Sequence, residues 1–530
     1  MTLSATRRHT SEWPELAPFD RVTPALVQET ARTIGPRVAV IESTSSLTWT
    51  QVNDEVDVTA SRLTTYGICR GDVVCVQLPN WWETFITALA VWRLGAVLNP
   101  VTPIYRANEL RTIYQLAKPS LVMVPGSFGD TDYISMAVQA LAAAGIDAPV
   151  TTVRSVDSTI GVLAAGGTSA TELPDITALS GDDICVLMFT SGTTGRPKGV
   201  LHSHRTLQYE AWSIANRFAL KTPRVFMPSP LTHITGLLYG IILPILTDGS
   251  VVLQDRWNAE RAADIIEATD CNFCVGATPF LAGLVKEYRQ RASRSNLTAF
   301  VCGGADVPPV VIQQAHDVMG TLAVRAYGLT EFPTLTCGRP EDSMALRSGD
   351  DGALTDGSQF RLVDMQGDVG DLEARGPEMF LGYLDPNDNA HAFTDDGWFR
   401  TGDRAVLDGD RGRIVGRSKD IIVRGGENLS PQEVENLVVT MAGVGDIAVV
   451  GVPDSELGER ACAMVVPHGT PPTLIQIRDF LDAHGLARQK APEHLLLCST
   501  LPRTPSGKVQ KYMLREQAAR RLADGEGETR

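Results

Sequence analysis

Short apolar runs alternate along the chain with longer stretches in which apolar residues recur every three or four positions. Asp72–Leu78 has the apolar character of a strand buried on both faces, and Glu83–Leu94 places Phe85, Leu89, Val91 and Trp92 at helical spacing. A strand at Ala96–Leu98, a helix at Asn108–Leu116 and a strand at Leu121–Val124 extend this first series. A second series runs through Val225–Met227, an apolar helix from Leu237, Val251–Leu253, a helix at Ala259–Ala268 and Asn272–Val275. It continues with Thr298–Val301, a helix around Val310–Val318, and Leu322–Tyr327. Strands alternating with helices of this length predict parallel sheets covered on both faces. Two such series predict two related sheets within one large α/β domain.

The pattern changes after Gly349. Up to Gly412, short strands, glycines and acidic turns predict a small β-rich subdomain. The remainder returns to a compact mixed pattern, with strands at Asp446–Val452 and Ala461–Val466 and an amphipathic helix at Leu474–His484. The polar stretch Arg417-Ser418-Lys419-Asp420 separates two apolar patterns. The predicted division is therefore a large N-terminal domain, residues 1–418, and a small C-terminal domain, residues 419–530. The closing segment Ala523–Arg530 reads as a frayed tail.

With 530 residues and 43% hydrophobic content, the chain can bury more than one core. A net charge of -15 argues against the basic surface that a nucleic-acid partner requires. Nine scattered cysteines fit a reduced compartment. Cys271 and Cys274 form a CxxC, but in a strand-like run with no second pair at zinc spacing, so they read as core thiols. Met1–Pro18 has no apolar segment behind Arg7 and Arg8, and Gly236–Leu246 falls well short of the ~20 apolar residues of a membrane span. The expected compartment is the cytoplasm.

One loop changes the picture from architecture to chemistry. In Met188-Phe-Thr-Ser-Gly-Thr-Thr-Gly-Arg-Pro-Lys-Gly-Val200, the glycines Gly192 and Gly195 let backbone N–H groups approach an anion. Thr190, Ser191, Thr193 and Thr194 add hydroxyl donors, and Lys198 adds a mobile positive charge. A solvated turn accounts for any few of these residues but not for the whole run. Gly192 and Gly195 are too close for a Walker loop, and Gly199 stands where that loop has Ser or Thr.

The loop resembles the signature of the adenylate-forming superfamily, which holds acyl- and aryl-CoA ligases, peptide-synthetase adenylation domains and luciferases. Further segments resemble that superfamily in its order, over nearly the whole chain. In Pro228–Gly236, His233 resembles the residue bordering the carboxylic-acid pocket, although a lone histidine is more often structural. His202 and His204, flanking the loop, read as residues that open a helix rather than as metal ligands. Val301-Cys-Gly-Gly-Ala305 resembles one side of an adenine slot, carried by Gly303, Gly304 and Ala305. In Ala326-Tyr-Gly-Leu-Thr-Glu331 the resemblance puts Ala326, Tyr327 and Gly328 at adenine, Thr330 at the α-phosphate and Glu331 on Mg²⁺. A helix N-cap with an acidic first turn would also produce Thr-Glu. Both segments end strands, the side on which ligands bind in open α/β sheets.

Gly397–Asp403 resembles the motif whose aspartate, here Asp403, accepts both ribose hydroxyls. In Gly416–Asn428, Arg417 would also reach the ribose, Lys419 would be the pivot between domains, and Gly425-Gly426 would let the pantetheine arm pass. A plain hairpin with a glycine turn is the alternative for that pair. Leu501-Pro-Arg-Thr-Pro-Ser-Gly-Lys508 resembles the motif of the catalytic lysine, though a lysine after Ser-Gly is by itself most often an exposed loop residue.

The resemblance implies two related doubly wound sheets plus the β-rich subdomain in the large domain, and a mobile α+β C-terminal domain. It implies a ligase using ATP, Mg²⁺ and coenzyme A on a small carboxylic acid, with homo-oligomerisation left open. A carboxylate attacks the α-phosphate in line, pyrophosphate leaves, and a thiol then displaces AMP from the acyl-adenylate. Lys508, Thr190, Glu331 and His233 would carry the chemistry. Leu78–Phe85, Ala96–Tyr105 and Trp257–Arg261 look most like cyclohexanecarboxylate- and medium-chain acyl-CoA ligases, which points to a medium-chain, alicyclic or aromatic acid. Arg347–Gly357 departs from the pattern by lacking its proline-bearing turn, which leaves the acid open. The alternatives are a ligase loading a carrier protein and a non-catalytic nucleotide-binding relative; the latter usually sheds the lysine or the acidic ligand, and both Lys508 and Glu331 are present.

Overall fold

The computed structural model describes residues 13–154, 173–190, 197–304, 307–417, 420, 422–424, 427–454, 457–484, 486, 490–503 and 507–529. These residues form three sheets. In the first, the strands run in the order Gly382–Tyr383, Lys198–Ser203, Ile184–Thr190, Val97–Pro100, Val73–Val76, Leu121–Pro125 and Val150–Val153. The strands from Ile184–Thr190 through Val150–Val153 pair parallel, while Lys198–Ser203 turns back antiparallel.

The second sheet carries the parallel strands Arg224–Met227, Ser250–Leu253, Phe273–Gly276, Ala299–Cys302 and Leu322–Tyr327. Its outer edge comes from the beginning of the chain: Val38–Glu42 lies parallel to Ser250–Leu253 and forms a hairpin with Ser45–Thr48. In the other direction the sheet passes through Thr336–Cys337 and Ala353–Leu354 into the antiparallel strands Arg411–Arg417, Phe399–Asp408, Val369–Arg375 and Gln359–Gln366. The β-rich subdomain is thus a continuation of the second sheet.

One core lies between the two sheets. It joins Val74, Val76 and Leu98 of the first to Val225, Val251 and Val301 of the second, through the helix Trp82–Arg93. Every residue of that largely apolar helix after Trp82 is buried. Glu83 is buried too, and Arg154 answers it at 2.6 Å.

Segment Arg347–Gly357, which lacks the expected turn, is given over to ion pairs. Arg325 meets Asp351 at 2.6 Å, and Arg411 meets Asp350 at 2.6 Å and Asp342 at 3.0 Å. Two helices depart from regular α geometry. The one around Val310 is Pro309–Gln314 followed by a π turn at Ala315–Met319, and the apolar helix begins at Ile234 with a π turn at Leu238–Ile242.

The C-terminal sheet combines Glu427–Leu429, Ile422–Arg424, Gly458–Pro467, His494–Leu497 and Glu528–Thr529, with Val444–Asp454 paired to Gly458–Pro467. The helices Pro431–Val438, Leu474–Ala483 and Lys511–Ala523 accompany it. Reading Ala523–Arg530 as frayed is corrected here. Glu528–Thr529 pairs with the edge of His494–Leu497, and the Glu528 carboxylate accepts from the Leu474 N–H at 2.6 Å, at the start of a helix where unpaired donors and the dipole favour an anion.

No helix among the described residues is long and apolar enough to cross a membrane. The nine cysteines are free, Cys271 and Cys274 among the buried ones.

Candidate active site

Thr190 and Lys198 face each other as the last register pair of an antiparallel hairpin. The phosphate-type loop therefore connects two strands of the first sheet; Ser191, Gly192, Thr193, Thr194 and Gly195 lie outside the described residues. Lys198 Nζ stands 3.7 Å from Asp388 and 4.6 Å from the centre of the Tyr383 ring. The Tyr383 hydroxyl in turn donates to Glu331 Oε1 at 2.7 Å. Burial and the adjacent Glu331 carboxylate push the Tyr383 phenol well above its ordinary range, so it stays a donor.

The neighbours of Glu331 are fixed through their backbone. The Glu331 carbonyl accepts from the Phe380 N–H at 2.9 Å. The Thr330 carbonyl accepts from His202 Nε2 at 2.7 Å, and His202 is fully buried. His204 does open the helix His204–Arg217, but His202 lies in the strand Lys198–Ser203 and clamps Thr330. The reading of His202 as a residue that opens a helix is corrected accordingly. A carbonyl only accepts, so the clamp fixes His202 with a proton on Nε2.

Behind this clamp lies a buried carboxyl pair. Glu210 and Glu378 are both wholly buried, and each keeps one carboxyl oxygen without a hydrogen-bond partner. Burial, followed by the nearby Glu210, pushes Glu378 well above the carboxylate range. Tyr239, from the π turn, donates to Glu210 and lies 2.8 Å from the Thr334 hydroxyl. Thr355 and Ser358 donate to Glu378 at 2.7 and 3.0 Å. Sequence analysis did not single out Glu210, and nothing in its spacing reveals the partner.

The second sheet brings the expected nucleotide residues together. The Tyr327 hydroxyl donates to Asp403 Oδ2 at 2.6 Å, and Asp403 is only 4% exposed. Asp403 pairs in register with Arg417 on the neighbouring strand. A Cβ on Gly303 would come 2.6 Å from the Ala326 carbonyl oxygen, so the two segments approach as only glycine permits. Gly304, with φ +78°, faces open space; Ala305 lies outside the described residues. Gly328 meets the Pro333 carbonyl so closely that a Cβ would lie 1.8 Å from its oxygen. That fold back of the chain sets Thr330 and Glu331 in a tight turn closed by Leu329 N–H to Phe332 O at 2.8 Å.

His233 is the N-cap of Ile234–Leu237, its Nδ1 accepting from the Thr235 N–H at 3.3 Å. Burial pushes its imidazole down to about 4, so at neutral pH it presents an uncharged ring. Lys508 follows Gly507, which has φ +85° and would place a Cβ 3.2 Å from Pro279 Cγ. Pro279 begins the helix after the strand Phe273–Gly276. The lysine segment therefore meets the large domain at the carboxyl edge of the second sheet, next to the strand Ala299–Cys302. Lys419, Gly425 and Gly426 lie outside the described residues; the strands around that glycine pair set Arg424 opposite Glu427.

A glycine-built slot, a buried carboxylate beside a tyrosine, and a lysine arriving from a second domain define a nucleotide-using α/β enzyme. The AMP-binding enzyme family matches residues 27–384, and the AMP-binding enzyme C-terminal domain matches residues 433–508. A medium-chain fatty-acid–CoA ligase of Escherichia coli (strain K12) is 34% identical over 521 residues, covering 93% of this chain and 90% of the relative. A salicylyl-CoA synthase / salicylate adenylyltransferase of a Streptomyces species is 32% identical over 528 residues, covering 92% of each. The crystal structure of ATP-bound MatB from Rhodopseudomonas palustris superposes with a TM-score of 0.83 at 26% identity, over 94% of this chain and 99% of that one. The chain belongs to the AMP-binding enzyme family, and its activity is that of an ATP-dependent acid–CoA ligase working through an acyl-adenylate.

Proposed function

We propose that the acid is a medium-chain, alicyclic or aromatic carboxylic acid and that the residues assembled above divide its two-step activation among them. The observation that carries the division of roles is the clamp on Thr330–Glu331 beside the Tyr327–Asp403 pair. The names of the medium-chain and salicylyl relatives support the range of acids.

Asp403, with Arg417 beside it in register, receives the ribose. Gly303, Gly304, Ala305, Ala326, Tyr327 and Gly328 frame the adenine, and Thr330 donates to the α-phosphate. Thr190, Ser191, Gly192, Thr193, Thr194, Gly195 and Lys198 hold the phosphates that leave as pyrophosphate. Glu331 fits Mg²⁺ as a hard oxygen donor held in place by the Tyr383 hydroxyl. Such a site suits an ion that keeps waters and takes phosphate oxygens. Bound there, Mg²⁺ supplies charge neutralisation at the phosphates. Lys508 neutralises charge between the attacking carboxylate and the α-phosphate, two anions that otherwise repel. His233, uncharged, borders the acid without adding a competing cation.

The boundary lies between residues 418 and 419. The smaller domain turns about Lys419, withdraws Lys508 and brings Gly425-Gly426 to the pantetheine arm. The cytoplasm is the expected compartment.

The test is ATP- and CoA-dependent pyrophosphate release across straight-chain, alicyclic and aromatic acids, with Lys508→Ala as control. Release with a CoA thioester for one acid class is the expected result. Release without thioester would assign a carrier protein as acceptor, and silence throughout would leave a nucleotide-binding relative.

A further inference from the structure

The segment before Lys508 is tied to the C-terminal domain through the Arg503 side chain. Arg503 donates from Nη1 to the Gly507 carbonyl at 2.6 Å and from Nη2 to Asp446 Oδ2 at 2.6 Å. Asp446 stands on the strand Val444–Asp454, and its other oxygen accepts from the Ile447 N–H at 3.0 Å. Arg503 and Val509 also form an antiparallel bridge, and the Gln510 N–H reaches the Pro502 carbonyl at 2.8 Å. Beyond Lys508, Lys511 pairs with Glu435 at 2.7 Å.

The Gly507 carbonyl shares a rigid peptide plane with the Lys508 N–H. A donor fixed on that oxygen sets the rotation of the plane and with it the direction in which Lys508 leaves the backbone. Gly507, in the left-handed region, does not hold this rotation by itself. The Arg503–Asp446 pair is about one-third exposed on both sides, where an ion pair adds little to global stability. Its fork geometry nevertheless lets one guanidinium bridge a carbonyl and a carboxylate, which a point-charge ammonium does poorly.

We propose that Arg503, braced by Asp446, is a positioning residue that aims Lys508 for adenylation. This rests on the reading of Lys508 as the adenylation lysine. Because the brace is wholly within the C-terminal domain, it serves only the half-reaction in which Lys508 faces the phosphate.

The experiment compares Arg503→Met, Arg503→Lys, Asp446→Asn and Lys508→Ala in the full-length enzyme, measuring pyrophosphate release and thioester formation from supplied acyl-adenylate separately. Arg503→Met should lower adenylation kcat about 10-fold to 10²-fold, by analogy with misplacing a catalytic group by about 1 Å. The KM for ATP, the thioester step and Tm should stay unchanged. Arg503→Lys should recover part of the loss, and Asp446→Asn should fall in the same direction but less far. A raised KM for ATP at constant kcat would make Arg503 a nucleotide ligand and overturn the proposal. Equal loss in both half-reactions, or no loss, would overturn it too. Tryptic cleavage after Lys508 supplies a readout apart from catalysis and should be several-fold faster in Arg503→Met. If Lys508→Ala leaves adenylation intact, the reading of Lys508 fails. Cleavage unchanged in Arg503→Met would show instead that the brace itself does not order the segment.

Discussion

In the proposed reaction Glu331 and Lys508 serve the same chemistry, and the chain holds them in different ways. Glu331 is gripped by Tyr383 and Phe380 while buried His202 grips its neighbour Thr330, with the buried carboxyls Glu210 and Glu378 packed behind. Lys508 sits on a short bridged segment whose main brace is a part-exposed ion pair within its own domain, and its described neighbour across the boundary is Pro279, against Gly507. Partners from the first sheet and the β-rich extension make the Glu331 side a fixed wall. The described contacts of the Lys508 segment include a brace within the C-terminal domain, as suits the proposed engagement and withdrawal of the lysine.

The sharpest way to break the comparison is Lys508→Ala. It should lower the adenylation rate by about 10² to 10³, the effect of removing one transition-state donor, while thioester formation from supplied acyl-adenylate persists. Equal loss in both steps, measured by rapid quench, would mean that the lysine does not withdraw. On the fixed side, His202→Ala strands the Thr330 carbonyl. It should destabilise the large domain by about 1–3 kcal/mol and weaken ATP binding, readable by denaturant titration and calorimetry. An unchanged ATP affinity would reduce the clamp to packing.

The buried carboxyl pair sharpens the contrast through pH. Glu378 has a raised pKa in the folded state, so its contribution is fully present below the unfolded value of 4.5 and is lost as pH rises through the folded value. His204 and His233 act oppositely. Burial pushes them down to about 3 and about 4, so their contribution is present above 6.5 and is lost as pH falls toward those values. Melting temperature should therefore decline on both limbs, and Glu378→Gln should flatten the alkaline one alone. An alkaline limb unchanged in that variant would show that Glu378 does not set it. The smallest effect concerns the tail: removing Glu528–Arg530 should cost about 1 kcal/mol, through lost edge pairing and the charge at the Leu474 helix start.

Local features were legible in the sequence wherever the partner is local. The two strand–helix series stand out because each run carries its own periodicity, and the glycines of the slot stand out because their spacing is tight. The edge strand Val38–Glu42 was missed, since its partner Ser250–Leu253 lies far along the chain and its own run is short. The clamp was missed for the same reason. His202, Thr330 and Tyr383 belong to segments that meet only when the first sheet is built, and no spacing rule connects them. Glu210 was not singled out, because charge alone does not show that a second carboxyl and a tyrosine wait for it. The tail was misjudged because glycine and acidic composition says nothing of an open strand edge nearby.

The pairing of Val40 with Val251 also governs how the chain leaves the ribosome. At about 5–20 residues per second, the N-terminal hairpin is made roughly 10–40 s before the strand it must border. Through that interval it presents an unpaired edge, the usual template for unwanted association. The largely apolar helix Trp82–Arg93 waits with it, because the second sheet that covers it has not been synthesised. The demand this enzyme makes on the cell's folding machinery is therefore set early, by its first strands, and the C-terminal unit with its lysine is added to a nearly finished body.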